Sequence, residues 1–161
     1  MAVQPIALYP ESAAVLRKKS KPVKRMNRRV KALVRDLKDT LNHHPEGTGL
    51  AAPQISAYAR VVVVRLGGGR DSEREPNPPL ALINPVIAEA RNEEKDFDGC
   101  LSFPGLYGET ARPHYLRVTG LDEAGHPFDR VFEGFDAVLV HHEIDHLNNV
   151  LVAVVIVASK G

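Results

Sequence analysis

The spacing of hydrophobic residues predicts an amphipathic helix in the first third of the chain. Within residues 23–41, apolar side chains recur at steps of three and four, as on one helical face: Met26, Val30, Leu33, Val34, Leu37 and Leu41. The other face is basic, with Lys24, Arg28, Arg29, Lys31, Arg35 and Lys38. Because no aromatic residues are interleaved with these charges, we interpret them as a solvated helix face in preference to a nucleic-acid patch.

Shorter apolar runs predict several strands and a second helix. The second helix is predicted over residues 137–147. Strands are predicted at residues 60–66, 81–88 (broken by Pro85), 115–120, 130–135 and 150–157. The predicted fold class is α+β. We expect a single domain over residues 1–161, with short antiparallel strands packed around a central helix that carries an HExxH motif, and with the amphipathic helix preceding them.

Composition narrows the class of protein. The 161 residues are 43% hydrophobic and 25% charged, and a formal net charge of +1 does not demand a nucleic acid or an acidic membrane as partner. No apolar run is long enough to span a bilayer, and the N-terminus lacks the charge order of a signal peptide. A single cysteine, Cys100, cannot form an internal disulfide. We therefore expect a cytoplasmic protein of bacterial type without a membrane or a sequence-specific nucleic-acid partner. An organelle is the alternative location, although the sequence shows no transit peptide.

The segment HEIDH, residues 142–146, has the spacing of a metal site. On a helix, His142 and His146 lie one turn apart on the same face, so both imidazoles can reach one ion. Glu143 is adjacent to His142, where it can take a proton from water that the metal has acidified and later deliver it to the leaving group. A helix that carries these residues by chance is the alternative. The flanking apolar residues favour the metal site, because buried histidines beside a buried glutamate need a chemical reason.

The residues alone leave the third metal ligand open. A catalytic divalent metal usually has three protein ligands and an open coordination position. The candidates are Cys100, a carboxylate, or one of the histidines His43, His44, His114, His126 and His141. Cys100 is favoured by its place in the irregular segment DGCLSFPG, although a lone cysteine is more often a buried small hydrophobe.

Residues 47–54, GTGLAAPQ, have the features of an oxyanion site. Gly47 and Gly49 let the backbone approach a ligand closely, and Gln54 offers an amide N–H to a developing oxyanion. Taken alone, the segment is interpreted equally well as a tight turn, and it contains no complete phosphate-loop motif.

Three segments, taken together and in this order, resemble the peptide deformylase family. The family's GxGLAAxQ motif stands here as residues 47–54, its EGCLS motif as DGCLS at residues 98–102, and its QHExDHL motif as HHEIDHL at residues 141–147. The similarity extends over about residues 23–151, and the combination of three motifs is highly specific. It implies a metal-dependent hydrolase that removes the N-formyl group from the N-terminal methionine of new polypeptides and releases formate.

The resemblance also implies roles for single residues. The metal ligands would be Cys100, His142 and His146. Glu143 would be the general base and acid, and the oxyanion would be held by Gln54 and the backbone N–H of Leu101. The substrate would be bound by Gly47, Gly49, Leu50, Val138 and Leu139, the last two beside the methionine side chain. The native ion would be Fe²⁺, with Zn²⁺, Ni²⁺ or Co²⁺ able to replace it. N-formylmethionyl peptides would be the partners, and transient ribosome association is a further expectation.

The chain departs from the family's pattern at four places. Asp98 replaces the usual glutamate, which shortens its reach toward Arg112, the residue expected opposite it. His141 replaces the usual glutamine and adds a competing ligand or a titrating group near the metal. Asn149 stands where glycine is common. The valine-rich end, residues 150–161, lacks the long C-terminal helix with which some relatives contact the ribosome. None of these changes removes a ligand, the base or the oxyanion glutamine.

Two alternative functions stay open. A zincin-type endopeptidase shares the HExxH motif, but no third histidine or glutamate follows at a typical downstream position. A catalytically impaired homologue that binds formyl-peptide without turnover would fit the changes at Asp98 and His141. Such a homologue would not need Glu143 as a general base or Gln54 as an oxyanion ligand, so the presence of both residues argues against it.

Overall fold

The chain forms a five-stranded antiparallel sheet with a helix on each face. The computed structural model describes residues 3–7, 20–45, 47–67, 77–99 and 107–148, the side chains of residues 96–99 and 107 excepted. Within these residues, the strands lie in the sheet in chain order: β1 (Gly49–Ala51), β2 (Val61–Val64), β3 (Leu80–Gly99), β4 (Tyr107–Leu121) and β5 (Pro127–Glu133). The helices are α1 (Arg28–Asn42) and α2 (Phe135–Leu147), and a 3₁₀ turn, Ala52–Ile55, follows β1. The predicted α+β class is confirmed.

Alternation along β2 divides the interior into two cores. Val62 and Val64 pack with side chains of helix α2, whereas Val61 and Val63 pack with side chains of helix α1. Because successive side chains of a strand point to opposite faces, the sheet lies between the two helices. All four valines are fully buried, as expected for a strand that is covered on both faces.

Helix α1 begins five residues later than its hydrophobic spacing predicts. Asn27 is its N-cap, with an extended φ of −118° and a side-chain oxygen that accepts from the N–H of Val30 at 2.9 Å. Val23 and Met26 nevertheless pack against the same core as the helix. The apolar spacing therefore reports burial correctly, while the capping residue decides where the helix starts.

Strand β3 is not broken at Pro85, and β3 and β4 are both longer than predicted. A register shift between Ile83 and Val86 places an extra residue in β3, and Asn84 takes a positive φ of 50° there. The Asn84 side chain accepts from the N–H of Val23 and donates to its carbonyl, both at 2.8 Å. Proline is tolerated at such a bulge, so the strand continues to Gly99.

The far halves of β3 and β4 form a two-stranded ribbon that hydrophobic patterning could not reveal. Residues 88–95 are exposed and mostly charged or small, yet Glu93 pairs with Pro113 and the pairing continues to Gly99 and Tyr107. The ribbon ends where the DGCLS segment begins. Cys100, Leu101 and the predicted terminal strand at residues 150–157 lie outside the described residues.

Candidate active site

Helix α2 brings the chemically active residues of HEIDH into one buried cluster. His142, Glu143 and His146 are 7%, 3% and 1% exposed. One ligand atom from each lies within 4.8 Å of the others, and the two imidazole centroids are 5.2 Å apart. The helix holds them there because other side chains on it pack into the core against the sheet: Ala137, Leu139, Val140, Ile144 and Leu147.

The chemistry of this cluster fits a divalent transition metal. Two imidazole nitrogens suit Fe²⁺, Zn²⁺, Ni²⁺ and Co²⁺, and a carboxylate beside them can ligate or exchange protons. Burial adds to the fit, because removing a carboxylate and two imidazoles from water is unfavourable unless an ion or hydrogen bonds compensate. Among the described residues, this is the group of histidine and acidic side chains that could hold an ion.

Gly49 of β1 lies directly against the Glu143 side chain. A β-carbon at Gly49 would be 2.5 Å from Oε2 of Glu143, 2.8 Å from Cγ and 2.9 Å from Cδ. Real β-carbons do not make such contacts, so only glycine leaves room for this carboxylate. The sequence suggested that Gly49 allows a ligand to approach; the structure adds that it allows Glu143 to approach.

The Gln54 side chain is buried and held in a defined orientation. Its exposed fraction is 1%, and its Oε1 accepts from the N–H of Ala51 at 2.9 Å. Because the acceptor end of the amide faces the donor of Ala51, the NH₂ group points away from it. Gln54 lies in the 3₁₀ turn that follows β1, and helix α2 contacts this turn.

Arg112 ties the HEIDH helix to strand β4, whereas from the sequence it was expected only as the partner of Asp98. It is 1% exposed, and its Nη1 donates to Oδ2 of Asp145 at 2.6 Å and to Nδ1 of His141 at 2.8 Å. Arginine has no acceptor, so Nδ1 of His141 carries no proton in this arrangement. Burial lowers the pKa of His141, which favours the same neutral ring.

The expected pairing of Arg112 with Asp98 stays a prediction. In the sheet, Arg112 lies opposite Glu94, and the side chain of Asp98 is outside the described part of the chain. His141, expected as a competing metal ligand, has its Nδ1 turned to Arg112 and does not belong to the cluster of His142, Glu143 and His146.

Two further buried or half-buried arginines fix the ends of the site segments, and sequence reasoning missed both. Arg65 is 3% exposed and donates to the carbonyl of Gly47 at 2.8 Å, and burial lowers its pKa. Arg60 donates to the carbonyl of Leu147 at 3.2 Å, at the C-terminal end of α2. Their one sequence signal is a charge at each end of the VVVV strand.

The remaining residues implied by the resemblance lie in different surroundings. The Leu50 side chain is buried in the core shared with α1, so any contact with substrate would come from its backbone. Leu139 packs in the other core, whereas Val138 belongs to neither core and stands one turn before His142; both are 4% exposed. Gly47 is buried and donates to the carbonyl of His44 at 2.9 Å.

The other histidines considered as a third ligand lie apart from the cluster. His43 and His44 follow the end of helix α1, where their rings meet edge to face at 5.4 Å. His114 is on β4, where its Nε2 is 3.6 Å from the carboxylate of Glu94. His126 lies in the turn between β4 and β5.

Comparison with known proteins decides the family. Residues 3–160 match the model of the polypeptide deformylase family. The chain belongs to the peptide deformylase family. The peptide deformylase of Saccharophagus degradans is 40% identical over 152 residues, which are 94% of this chain and 83% of that protein. This family match decides against the zincin-type endopeptidase that HExxH alone left open.

Solved peptide deformylases have the same fold. The crystal structure of the Thermotoga maritima peptide deformylase has a TM-score of 0.83 and 33% identity, and the match covers 95% of this chain and 97% of that one. The Acinetobacter baumannii enzyme, crystallised with Met-Ala-Ser bound, has a TM-score of 0.85 and 29% identity over 96% of this chain and 99% of its own. This peptide deformylase is therefore a metallohydrolase that removes the N-formyl group from new polypeptides.

Within the described residues, no helix is long and apolar enough to cross a bilayer.

Proposed function

We propose that this chain is a catalytically active peptide deformylase whose centre is the buried cluster on helix α2. The observation that carries the proposal is that His142, Glu143 and His146 bring ligand atoms within 4.8 Å of one another. The oxyanion glutamine and the glycine beside Glu143 are both retained, which argues against an impaired homologue that only binds formyl-peptide. The family match over residues 3–160 supports one domain over residues 1–161.

Cys100, His142 and His146 would hold one divalent ion. We propose Fe²⁺ as the native ion, with Zn²⁺, Ni²⁺ or Co²⁺ able to occupy the same donors, because imidazole and thiolate ligands accept each of these metals. When bound, such an ion lowers the pKa of water and polarises the formyl carbonyl. A thiolate among the ligands reduces the positive charge of the site and weakens it as a Lewis acid. The general base and the hydrogen bonds to the oxyanion must therefore contribute more to the rate.

Glu143 acts as the general base and then as the general acid. It accepts a proton from the attacking water and delivers it to the nitrogen of the departing amine, so that formate and a free N-terminus result. Its support is positional: the carboxylate is buried, lies within 4.8 Å of a nitrogen of each imidazole, and packs against the backbone of Gly49. That packing limits the rotamers of Glu143 and so keeps the carboxylate beside the metal-binding histidines.

Gln54 and the backbone N–H of Leu101 stabilise the oxyanion that forms when water attacks the formyl carbon. The bond from Ala51 to Oε1 of Gln54 supports this role, because it presents the NH₂ end of the amide on the other side. A donor fixed before the reaction needs no reorganisation when charge develops, and removing one such donor typically slows an enzyme by about 10²–10³.

The peptide binds in an extended form beside β1. This strand is the edge of the sheet, and Gly47, Gly49 and Leu50 can offer backbone groups there without side-chain obstruction. Val138 and Leu139 line the pocket that receives the methionine side chain of the substrate. Val138 is the better placed of the two, because it stands on the histidine side of α2 and lies outside the two main cores. The Met-Ala-Ser complex of the Acinetobacter baumannii relative fits this class of ligand.

The cellular setting follows from the substrate. N-formylmethionyl chains are made in the cytoplasm of bacteria, and we propose that the enzyme works there with transient association with the ribosome.

Formate release from formyl-Met-Ala-Ser by anaerobically purified, Fe²⁺-containing protein tests the proposal. Acetyl-Met-Ala-Ser is the matched control, because it differs from the formyl peptide only by one methyl group on the acyl carbon. We expect turnover of the formyl peptide only. Binding of the formyl peptide without formate release, with Fe²⁺, Ni²⁺ or Co²⁺ loaded, would identify the impaired homologue instead.

A further inference from the structure

Positive charge is concentrated in the segment that leads into and forms helix α1. Residues 21–42 contain eight of the 21 lysines and arginines and two of the 20 acidic residues, so the segment has a net charge of +6 in a chain whose formal charge is +1. The remainder of the protein is therefore acidic. Arg17, Lys18 and Lys19 precede this segment in the sequence. Such an uneven distribution is a feature of proteins that bind polyanions.

Four of these basic residues form a stripe along one side of α1, which we name the α1 basic stripe: Arg28, Lys31, Arg35 and Lys38. At 100° per residue they fall within an arc of about 80°, and the ten steps from the first residue to the last correspond to about 15 Å of helix. A nucleic-acid strand carries a phosphate about every 3.4 Å along its axis. The length of the stripe therefore matches about four phosphate spacings, that is, about five consecutive phosphates.

Most of the stripe carries charge that the protein does not neutralise. Lys38 is bridged by Glu123 from the β4–β5 turn. Within the described ranges, no ion pair is formed by Arg28, Lys31 or Arg35, and all three are exposed. Lys31 and Arg35 line a groove of about 320 Å³, whose other lining residues are the bridged pair Lys38 and Glu123 and the apolar side chains of Met26 and Val34. Three exposed cations without an acidic partner among the described residues, two of them beside this groove, suit a ligand with repeated anionic groups.

The position of the stripe leaves the catalytic cluster accessible. Helix α1 packs on the face of the sheet formed by Val61 and Val63, whereas the HEIDH helix packs on the face formed by Val62 and Val64. A large partner that binds the stripe would therefore sit across the sheet from His142 and His146. Binding of this kind does not compete with a peptide that enters the active site.

We propose that the α1 basic stripe, which the sequence alone led us to interpret as a solvated helix face, binds the phosphate backbone of RNA without sequence preference. A membrane surface fits less well, because a helix that lies on lipid turns its apolar face to the bilayer, and that face of α1 is buried against the sheet. The absence of aromatic residues argues for contacts to phosphates and against base stacking. The source of the RNA rests on the proposed function, since the substrate is a new polypeptide still attached to an RNA-rich particle.

Fluorescence anisotropy with a labelled RNA hairpin, measured over a salt series, tests this inference. The stripe variant is R28Q/K31Q/R35Q. The control R91Q/R117Q/R130Q removes the same net charge from exposed positions on β3, β4 and β5. We expect the stripe variant to bind RNA at least tenfold more weakly at low salt. The slope of log affinity against log salt should fall by about two to three, which is the counterion release of three lost contacts.

If the stripe variant and the control lose RNA affinity equally, the effect comes from overall charge and the proposal is overturned. The absence of RNA binding by the wild-type protein would overturn it as well. Phosphatidylglycerol vesicles are the second probe, and binding to vesicles without binding to RNA would assign the stripe to a membrane. Formate release from formyl-Met-Ala-Ser should be the same in all three proteins. Because turnover and RNA binding are separate readouts, a failure of the deformylase function is distinguishable from a failure of the RNA site.

Discussion

A β-carbon on Gly49 would lie 2.5 Å from Oε2 of Glu143, so the glycine and the glutamate fit together only in their present pairing. Gly49→Ala should displace the carboxylate. We expect kcat to fall by about a hundredfold, since a shift of about 1 Å in a catalytic group has that effect. Steady-state kinetics with formyl-Met-Ala-Ser, together with metal analysis, measures the change.

Gly120→Ala is the matched control for this prediction. Its added carbon would lie 2.8 Å from the carbonyl oxygen of Ile83 and 2.9 Å from the Phe128 ring, in the sheet and away from Glu143. It should lower the melting temperature while kcat per folded molecule stays near that of the wild type. If both variants lose kcat equally, Gly49 has no special relation to the catalytic carboxylate.

Replacing Glu143 by glutamine should separate metal binding from catalysis. The amide keeps the size of the side chain but cannot accept a proton from water, so turnover should fall by about 10²–10⁴. The metal content should remain at one ion per chain if Glu143 is not a ligand. Metal analysis and formate release on the same preparation give both values. Turnover that survived the change would refute the proposed role of the base.

Arg112→Met should destabilise the protein strongly. The change leaves the Asp145 carboxylate, which is 18% exposed, without its charged partner. Breaking a buried pair by removing one member typically costs about 3–5 kcal/mol, and partial solvation of Asp145 favours the lower end of that range. The double variant R112M/D145L should recover much of the loss. Urea unfolding at neutral pH measures the free energies of unfolding of the wild type, the single variant and the double variant.

Arg117→Met provides the comparison for Arg112. Arg117 forms a bidentate pair with Asp129 on the exposed surface and holds the pKa of that carboxyl below its usual range. Solvent screens this pair, so its loss should change stability far less than the loss of Arg112. An equal effect of the two substitutions would show that burial does not set the strength of the Arg112 contact.

Cys100→Ser should weaken metal binding more than it affects the fold. A hydroxyl is a poor substitute for a thiolate at a divalent transition metal, so the variant should lose most of its ion on dialysis against a weak chelator. His146→Gln should behave similarly, whereas Ser102→Ala, close to Cys100 in sequence, should retain the metal. Retention of one ion per chain by the serine variant would exclude Cys100 as a ligand.

The prediction of structure from sequence succeeded where interactions are local. The four-residue spacing of His142 and His146 fixes their relation on any helix, and the apolar spacing of α1 identified the residues that meet the sheet. It failed for the outer ribbon of β3 and β4, because charged, exposed residues 88–95 are held as a strand by hydrogen bonds to a segment distant in sequence. It also placed a strand break at Pro85, where Asn84 and its bonds to Val23 produce a bulge instead.

The sequence by itself determined the chemistry: two histidines and a glutamate at helical spacing, a glutamine after a glycine-bearing segment, and the order of three motifs that identify the family. Only the tertiary structure decided that Gly49 makes room for Glu143 and that Arg112 anchors the HEIDH helix through Asp145. It also decided that the basic stripe and the catalytic cluster lie on opposite faces of the sheet. The physical reason is distance along the chain. Helical spacing is set by bond geometry within a few residues, whereas these contacts depend on strand register, which long-range hydrogen bonding and core packing establish together.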